Sequence, residues 1–219
     1  MKKIMFNDKY GLTQAVLDGR KTMTRRIIPL TDTDREYLET AFDFDLRASV
    51  IIDDYSRYRV GEEVAVAQSY KSIEKEIQKQ GLPLNVKDEY RKAKGWDNKM
   101  FVRADAMPHR IRITDIWVER LQDISEEDCI KEGVIQIEWK QYLEQDWDDF
   151  SPQAYRVHNL WTLPIFEEGF QDPWAEQRPG EYAAKSADVA FAVLIFKTMG
   201  KKTWYANPWV FAYEFELIK

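Results

Sequence analysis

Apolar positions along the chain follow two periods, and the switches between them divide it into helices and strands. Leu12, Ala15 and Val16 stand at i, i+3 and i+4 with Leu17 beside them, which predicts a short helix stopped by Gly19. Lys21-Thr22-Met23-Thr24-Arg25-Arg26-Ile27-Ile28, rich in Thr and Ile and closed by Pro29, reads as a strand leaving that helix end. Val60-Gly61-Glu62-Glu63 turns into a buried strand, Val64-Ala65-Val66-Ala67. Ile111, Ile113, Ile116 and Val118 alternate with one slip near Thr114-Asp115, which predicts a long strand carrying a bulge. Ser125 then caps a helix, with Asp128 as an acidic capping-box variant, and Gly133 ends it. Ser186 to Met199 reads as a mostly apolar buried helix, and Trp209 to Ile218 as a β-prone terminal strand.

Three stretches interrupt this order. Residues 31–57 are acidic and irregular, with a short helix expected from Asp34 to Phe42. Residues 70–100 are highly charged and helical from Ser72 to Gln80, until Gly81-Leu82-Pro83 breaks the helix. Residues 137–180 crowd Trp, Asp and Glu around Pro152, Pro164, Pro173 and Pro179. All three read as insertions into a single α+β domain spanning residues 1–219. No repeat, low-complexity tract or linker divides it.

Composition narrows the class. Among 219 residues, 8 Trp, 11 Tyr and 11 Phe offer too much apolar surface for a disordered chain. No apolar run approaches the roughly 18 residues of a membrane span, and Met1-Lys2-Lys3 leads into no apolar signal core. A single cysteine, Cys129, excludes a disulfide framework and cysteine-rich zinc sites, and two distant histidines, His109 and His158, offer no metal site. The expectation is a soluble cytoplasmic protein with no cofactor, no metal and no membrane partner.

Charge changes the picture locally. With 32 Lys+Arg against 38 Asp+Glu, the net charge of −6 argues against coating nucleic acid through bulk charge. Gly19 to Arg26 reverses that sign, with Arg20, Lys21, Arg25 and Arg26 and no acid. A point-charge Lys, planar Arg forks and the Thr22 and Thr24 hydroxyls in that density suit an anion. A solvated basic strand edge, pairing with the acidic insertions, is the competing reading.

Gly19-Arg20-Lys21-Thr22-Met23-Thr24-Arg25-Arg26 resembles the GRKTxTRR signature of the ASCH family, a branch of the PUA-like superfamily. Arg59-Val60-Gly61-Glu62 to Val66 resembles that family's KPGD turn and strand. Arg110 to Asp128, followed by Glu132-Gly133, resembles its strand, loop and helix. Asn207-Pro208-Trp209-Val210 with Tyr213-Glu214-Phe215 resembles the ending of its longer phage and prophage branch. The four blocks cover roughly half the chain. The resemblance implies a small twisted β-barrel of about five or six strands with flanking helices, holding RNA or a modified nucleobase in a cleft beside it. It also implies, by motif position, the Lys, Thr and Glu with which some small ASCH proteins hydrolyse N4-acetylcytidine. These fall on Lys21, Thr24 and Glu132.

The chemistry is coherent in its own right. A desolvated Lys21 loses basicity and serves as a general base, Thr24 as nucleophile and Glu132 as proton shuttle, with Arg25 or Arg26 on an oxyanion or phosphate. In an ideal strand, however, residues 21 and 24 face opposite ways, so Lys21 must sit in the turn or a bulge must intervene. Gln68 and Tyr70, at the end of the second strand, are expected on the rim of the cleft. Trp161, Trp174, Trp204 and Trp209 read either as a base-stacking platform or as packing. Asp53-Asp54, Asp148-Asp149 and Glu167-Glu168 read as solvated loop charges, and Cys129 as a small buried residue.

Three expectations follow. The first is RNA or nucleotide-like ligand binding by Arg20, Lys21, Thr22, Thr24, Arg25, Arg26, Gln68 and Tyr70. The second is an amidohydrolase acting on an N-acylated pyrimidine nucleoside. The third is a phage-related accessory module docking a protein partner through the insertions.

Overall fold

In a computed structural model of the chain, residues 1–79, 81, 88–142, 155–163 and 184–218 are described. The sheet is organised around the long strand β4 (Arg110–Arg120), in which Ile111, Ile113, Ile116 and Val118 are buried. The terminal strand β7 (Trp209–Ile218) pairs antiparallel along it, and β3 (Glu63–Val66) pairs antiparallel with its first residues. A parallel β1 (Lys3–Ile4) extends the β3 side, and an antiparallel β2 (Met23–Ile27) extends the β7 side. The order is β1-β3-β4-β7-β2. The register of β4 shifts between Ile113 and Asp115, where the alternation slips in the sequence.

The fold is therefore α+β with a five-stranded mixed sheet. The sheet is not closed into the expected barrel, because among the described residues its edges β1 and β2 do not pair. Two residues of β1 are too few for a second ladder. Arg26 Nη2 reaches across instead and donates to the Met5 carbonyl at 2.6 Å. The edges thus meet at a seam bridged by a side chain.

Helices pack on this sheet. They are α1 (Leu12–Leu17), α2 (Asp32–Glu39), α3 (Phe44–Tyr55), α4 (Tyr70–Lys79), α5 (Asp88–Arg91), α6 (Glu126–Lys131), α7 (Ala187–Thr198) and α8 (Lys201–Ala206). Helix α7 is apolar on nearly all sides and buries Phe191, Leu194 and Ile195 in the main core. Residues 31–57 are more regular than expected. Thr31 and Asp43 accept from the Asp34 and Leu46 amides as N-caps, and the two helices they start bury Leu38, Ala48 and Ile51 in the core. The acidic composition of this stretch masked two capping signals. In the stretch from 137 to 180, β5 (Ile135–Tyr142) and β6 (Tyr155–Thr162) form an antiparallel ladder where irregular chain was expected. Leu82, Pro83, Asp148, Asp149, Glu167, Glu168 and Trp174 lie outside the described residues. Among the described residues no helix is long and apolar enough to cross a membrane.

Candidate functional site

Lys21 is placed by the stop of α1. Gly19 takes a left-handed φ of 74°, and the Arg20 and Lys21 amides both fold back to the Ala15 carbonyl at 2.9 Å. Lys21 therefore precedes β2, which starts at Met23, and the alternation of the strand does not govern it. Its ammonium donates to the Glu132 carbonyl at 2.7 Å and to Glu132 Oε2 at 2.5 Å. Glu132 is in turn set by α6. Ser125 caps that helix by accepting from the Asp128 amide, and Gly133 turns the chain away at a φ of 100°. A cation thus sits on the carbonyl end of α6, where the helix dipole favours it. The Thr22 amide ties β2 to the same end by donating to the Lys131 carbonyl at 2.9 Å.

Arg25 carries the second buried cation. Register places it on the sheet face shared by Ala212 and Trp117, opposite the face of Thr24, Tyr213 and Ile116. Its Nε donates to Glu119 Oε1 at 2.5 Å, Nη2 to Asp128 Oδ2 at 3.0 Å and Nη1 to Glu132 Oε1 at 3.3 Å. Lys21 and Arg25 are each 2% exposed and Glu132 is 4% exposed. Burial pushes the Lys21 ammonium below its ordinary pKa. The Glu132 carboxylate opposes this, and the Arg26 and Arg25 charges add to it. Burial also pulls on Arg25, but Glu132, Glu119 and Asp128 together outweigh it and hold Arg25 above its ordinary value. Two buried cations face three carboxylates here, so the expected cationic cleft is internally charge-compensated.

Because β2 is an edge strand, both its faces border the seam. A cleft of about 80 Å³ lies there, lined by Lys21, Thr24, Arg25, Arg26 and Glu132 beside Phe6, and closed by Phe191, Leu194 and Ile195 of α7. At roughly 30 Å³ per water, it admits a group of a few heavy atoms, not a whole nucleoside. One wall is ionic and the other apolar. Lys21 and Arg26 both lie over the Phe6 ring, at 5.8 and 5.9 Å.

The other expected residues are placed elsewhere. Arg20 pairs with Asp18 at 2.9 Å outside this cleft. Thr22 is used through its backbone, accepting from the Phe215 amide at 2.8 Å. Gln68 does not rim the seam but lines a separate cavity, and Tyr70 opens α4 with its ring 4.8 Å from that of Tyr90. Trp209 stacks on Phe44 at 5.6 Å, and Trp204 packs edge-on to Phe191 and Phe196, so both serve packing. The buried Cys129 thiol is pushed up to about 12 by burial, which leaves it un-ionised. Among the described residues no group of three potential ligands surrounds a metal position. Sequence reasoning missed Glu119 and Asp128 as partners of Arg25, and Phe6 and Phe191 as walls. The only signal for Glu119 was its parity on β4, which carries no information until the strand order is known.

The chain matches no family model, no curated protein and no solved structure.

Proposed function

We propose that the seam cleft hydrolyses the amide of a small acyl group carried by a pyrimidine nucleoside, of the N4-acetylcytidine kind. The observation that carries this reading is that Lys21, Thr24 and Glu132 border one cleft sized for a few heavy atoms. The ASCH resemblance of Gly19 to Arg26 points the same way, and the approach of β1 to β2 across the seam suits a barrel of that kind.

In this mechanism the acyl group enters the cleft with its carbon against the apolar α7 wall, and the nucleoside stays outside. Neutral Lys21 takes the Thr24 hydroxyl proton as the oxygen attacks the carbonyl carbon. Contact between Lys21 Nζ and Glu132 Oε2 passes that proton to the carboxylate, which delivers it to the departing exocyclic amine as the C–N bond breaks. Water then releases the acyl group from Thr24 with Lys21 again as base. Arg25 is a positioning residue. Its bonds to Glu119, Asp128 and Glu132 hold the carboxylate in place. The same bonds weaken the alternative of RNA binding, since the buried Arg25 directs its guanidinium at carboxylates and leaves Arg26 as the arginine on the cleft for a phosphate.

The test is mass-spectrometric detection of cytidine after incubation with N4-acetylcytidine, with Lys21→Ala alongside. Turnover by the wild type and none by the variant is expected. An inactive wild type overturns the proposal.

A further inference from the structure

Helix α7 lines the seam cleft with Phe191, Leu194, Ile195 and Thr198. They stand at i, i+3, i+4 and i+7, so a single stripe of the helix forms the wall. The stripe also runs from buried to half-exposed positions. Phe191 is 1% exposed, Leu194 and Ile195 are each 3% exposed, and Thr198 is half-buried. Over these seven steps the helix rises about 10 Å, which is the length of the wall from floor to rim.

The wall is held rigidly. The Arg25 guanidinium lies 5.9 Å from the centre of the Phe191 ring, and Trp204 packs edge-on against the same ring. Phe191, Leu194 and Ile195 belong to the main core. Interiors at core density do not yield readily to added atoms.

The wall is also chemically uniform. Phe191, Leu194 and Ile195 carry no polar side-chain atom, and the Thr198 hydroxyl donates to the Leu194 carbonyl at 2.7 Å within its own helix. A polar substituent pressed against this stripe leaves water and finds no free donor there. The space beside it is small. At roughly 30 Å³ per water-sized group, the cleft of about 80 Å³ holds about three heavy atoms, as many as an acetyl group has. A butyryl group has two carbons more.

We infer that the α7 stripe selects the acyl group: the cleft takes short, unsubstituted chains, acetyl above all, and Leu194 sets the limit on their length. Leu194 and Ile195 stand between the Phe191 floor and the Thr198 rim. Of the two, Leu194 branches one carbon farther from the backbone and reaches farther from the helix. The inference rests on the hydrolysis proposed above and names which N-acyl substrates that site accepts.

The experiment measures kcat/KM of the wild type and of Leu194→Ala on N4-acetyl-, N4-propionyl-, N4-butyryl- and N4-hydroxyacetylcytidine. Wild-type kcat/KM falls about tenfold or more for each methylene beyond acetyl, and propionyl is preferred to the isosteric hydroxyacetyl group. Leu194→Ala removes three carbons and raises the butyryl-to-acetyl ratio about tenfold or more. Both rates are read on one preparation, so any loss of folded protein cancels from the ratio. Equal wild-type rates on acetyl and butyryl, or a ratio unmoved by Leu194→Ala, overturn the inference and leave the hydrolysis standing. Hydroxyacetyl turned over as fast as propionyl overturns the apolar selection in the same way. A wild type inactive on all four substrates overturns the hydrolysis and the inference with it. Should Leu194→Ala fail to fold, Leu194→Val, one methylene smaller, decides through the propionyl-to-acetyl ratio.

Discussion

At the residue scale, the molecule buries a cluster of charge where most proteins bury hydrocarbon. Lys21, Arg25 and Glu132 are each at least 95% covered, and each depends on the others for compensation. Removing one partner strands the rest. Glu132→Gln leaves two buried cations short of a counter-charge, and a loss of about 3–5 kcal/mol in denaturant unfolding is expected. Lys21 adds a pH signature. Its folded pKa is lowered by burial from 10.5, so between the lowered value and 10.5 the unfolded chain binds more protons than the folded one. Stability therefore rises with pH through that window, and below it the full penalty of charging a buried lysine remains. Unfolding free energy measured against pH should show this rise in the wild type and lose it in Lys21→Met. In the proposed mechanism only neutral Lys21 serves as base, so hydrolysis should rise with pH along a limb centred below 10.5. Lys21, Thr24 and Glu132 were legible as motif positions. The carboxylates around Arg25 were not, because they come from a distant strand and helix.

At the element scale, local rules account for most boundaries. Ser125, Gly133 and the slip at Thr114-Asp115 act as their chemistry predicts: cap, stop and bulge. The cap has a remote effect, since α6 carries both the Lys131 carbonyl that ties down β2 and the Glu132 pair of Lys21. Ser125→Ala should lower stability by about 1 kcal/mol, read from the thermal midpoint, and should reduce turnover beyond what that loss explains. Composition misled where it outweighed patterning. Residues 31–57 looked irregular because acids dominate, yet Thr31 and Asp43 start helices that bury Leu38 and Ile51. Tertiary contact, not helix propensity, holds such helices in place.

At the scale of the whole molecule, the sheet leaves its two edges facing each other, and the candidate site occupies the gap. Arg26 joins the edges by a single bond to the Met5 carbonyl. Arg26→Ala should cost about 1 kcal/mol in stability and selectively speed amide exchange at Lys3 to Asn7. Unchanged exchange there would mean that packing of Phe6 on Phe215, at 5.7 Å, already closes the seam.

The sequence by itself determined the α+β class, the long bulged strand, the capped α6, the apolar α7 and the cationic segment from Arg20 to Arg26. These are written in spacing, caps and local charge, each of which acts within a few residues. Only the tertiary structure decided that β1 and β2 do not pair among the described residues, that acids pair with Arg20, Lys21 and Arg25, and that Gln68 belongs to a different cavity from Lys21. Those outcomes depend on which strands become neighbours and how many residues an edge offers for pairing. Contacts such as Arg25 to Glu119, 94 positions apart, exist only once the chain has folded.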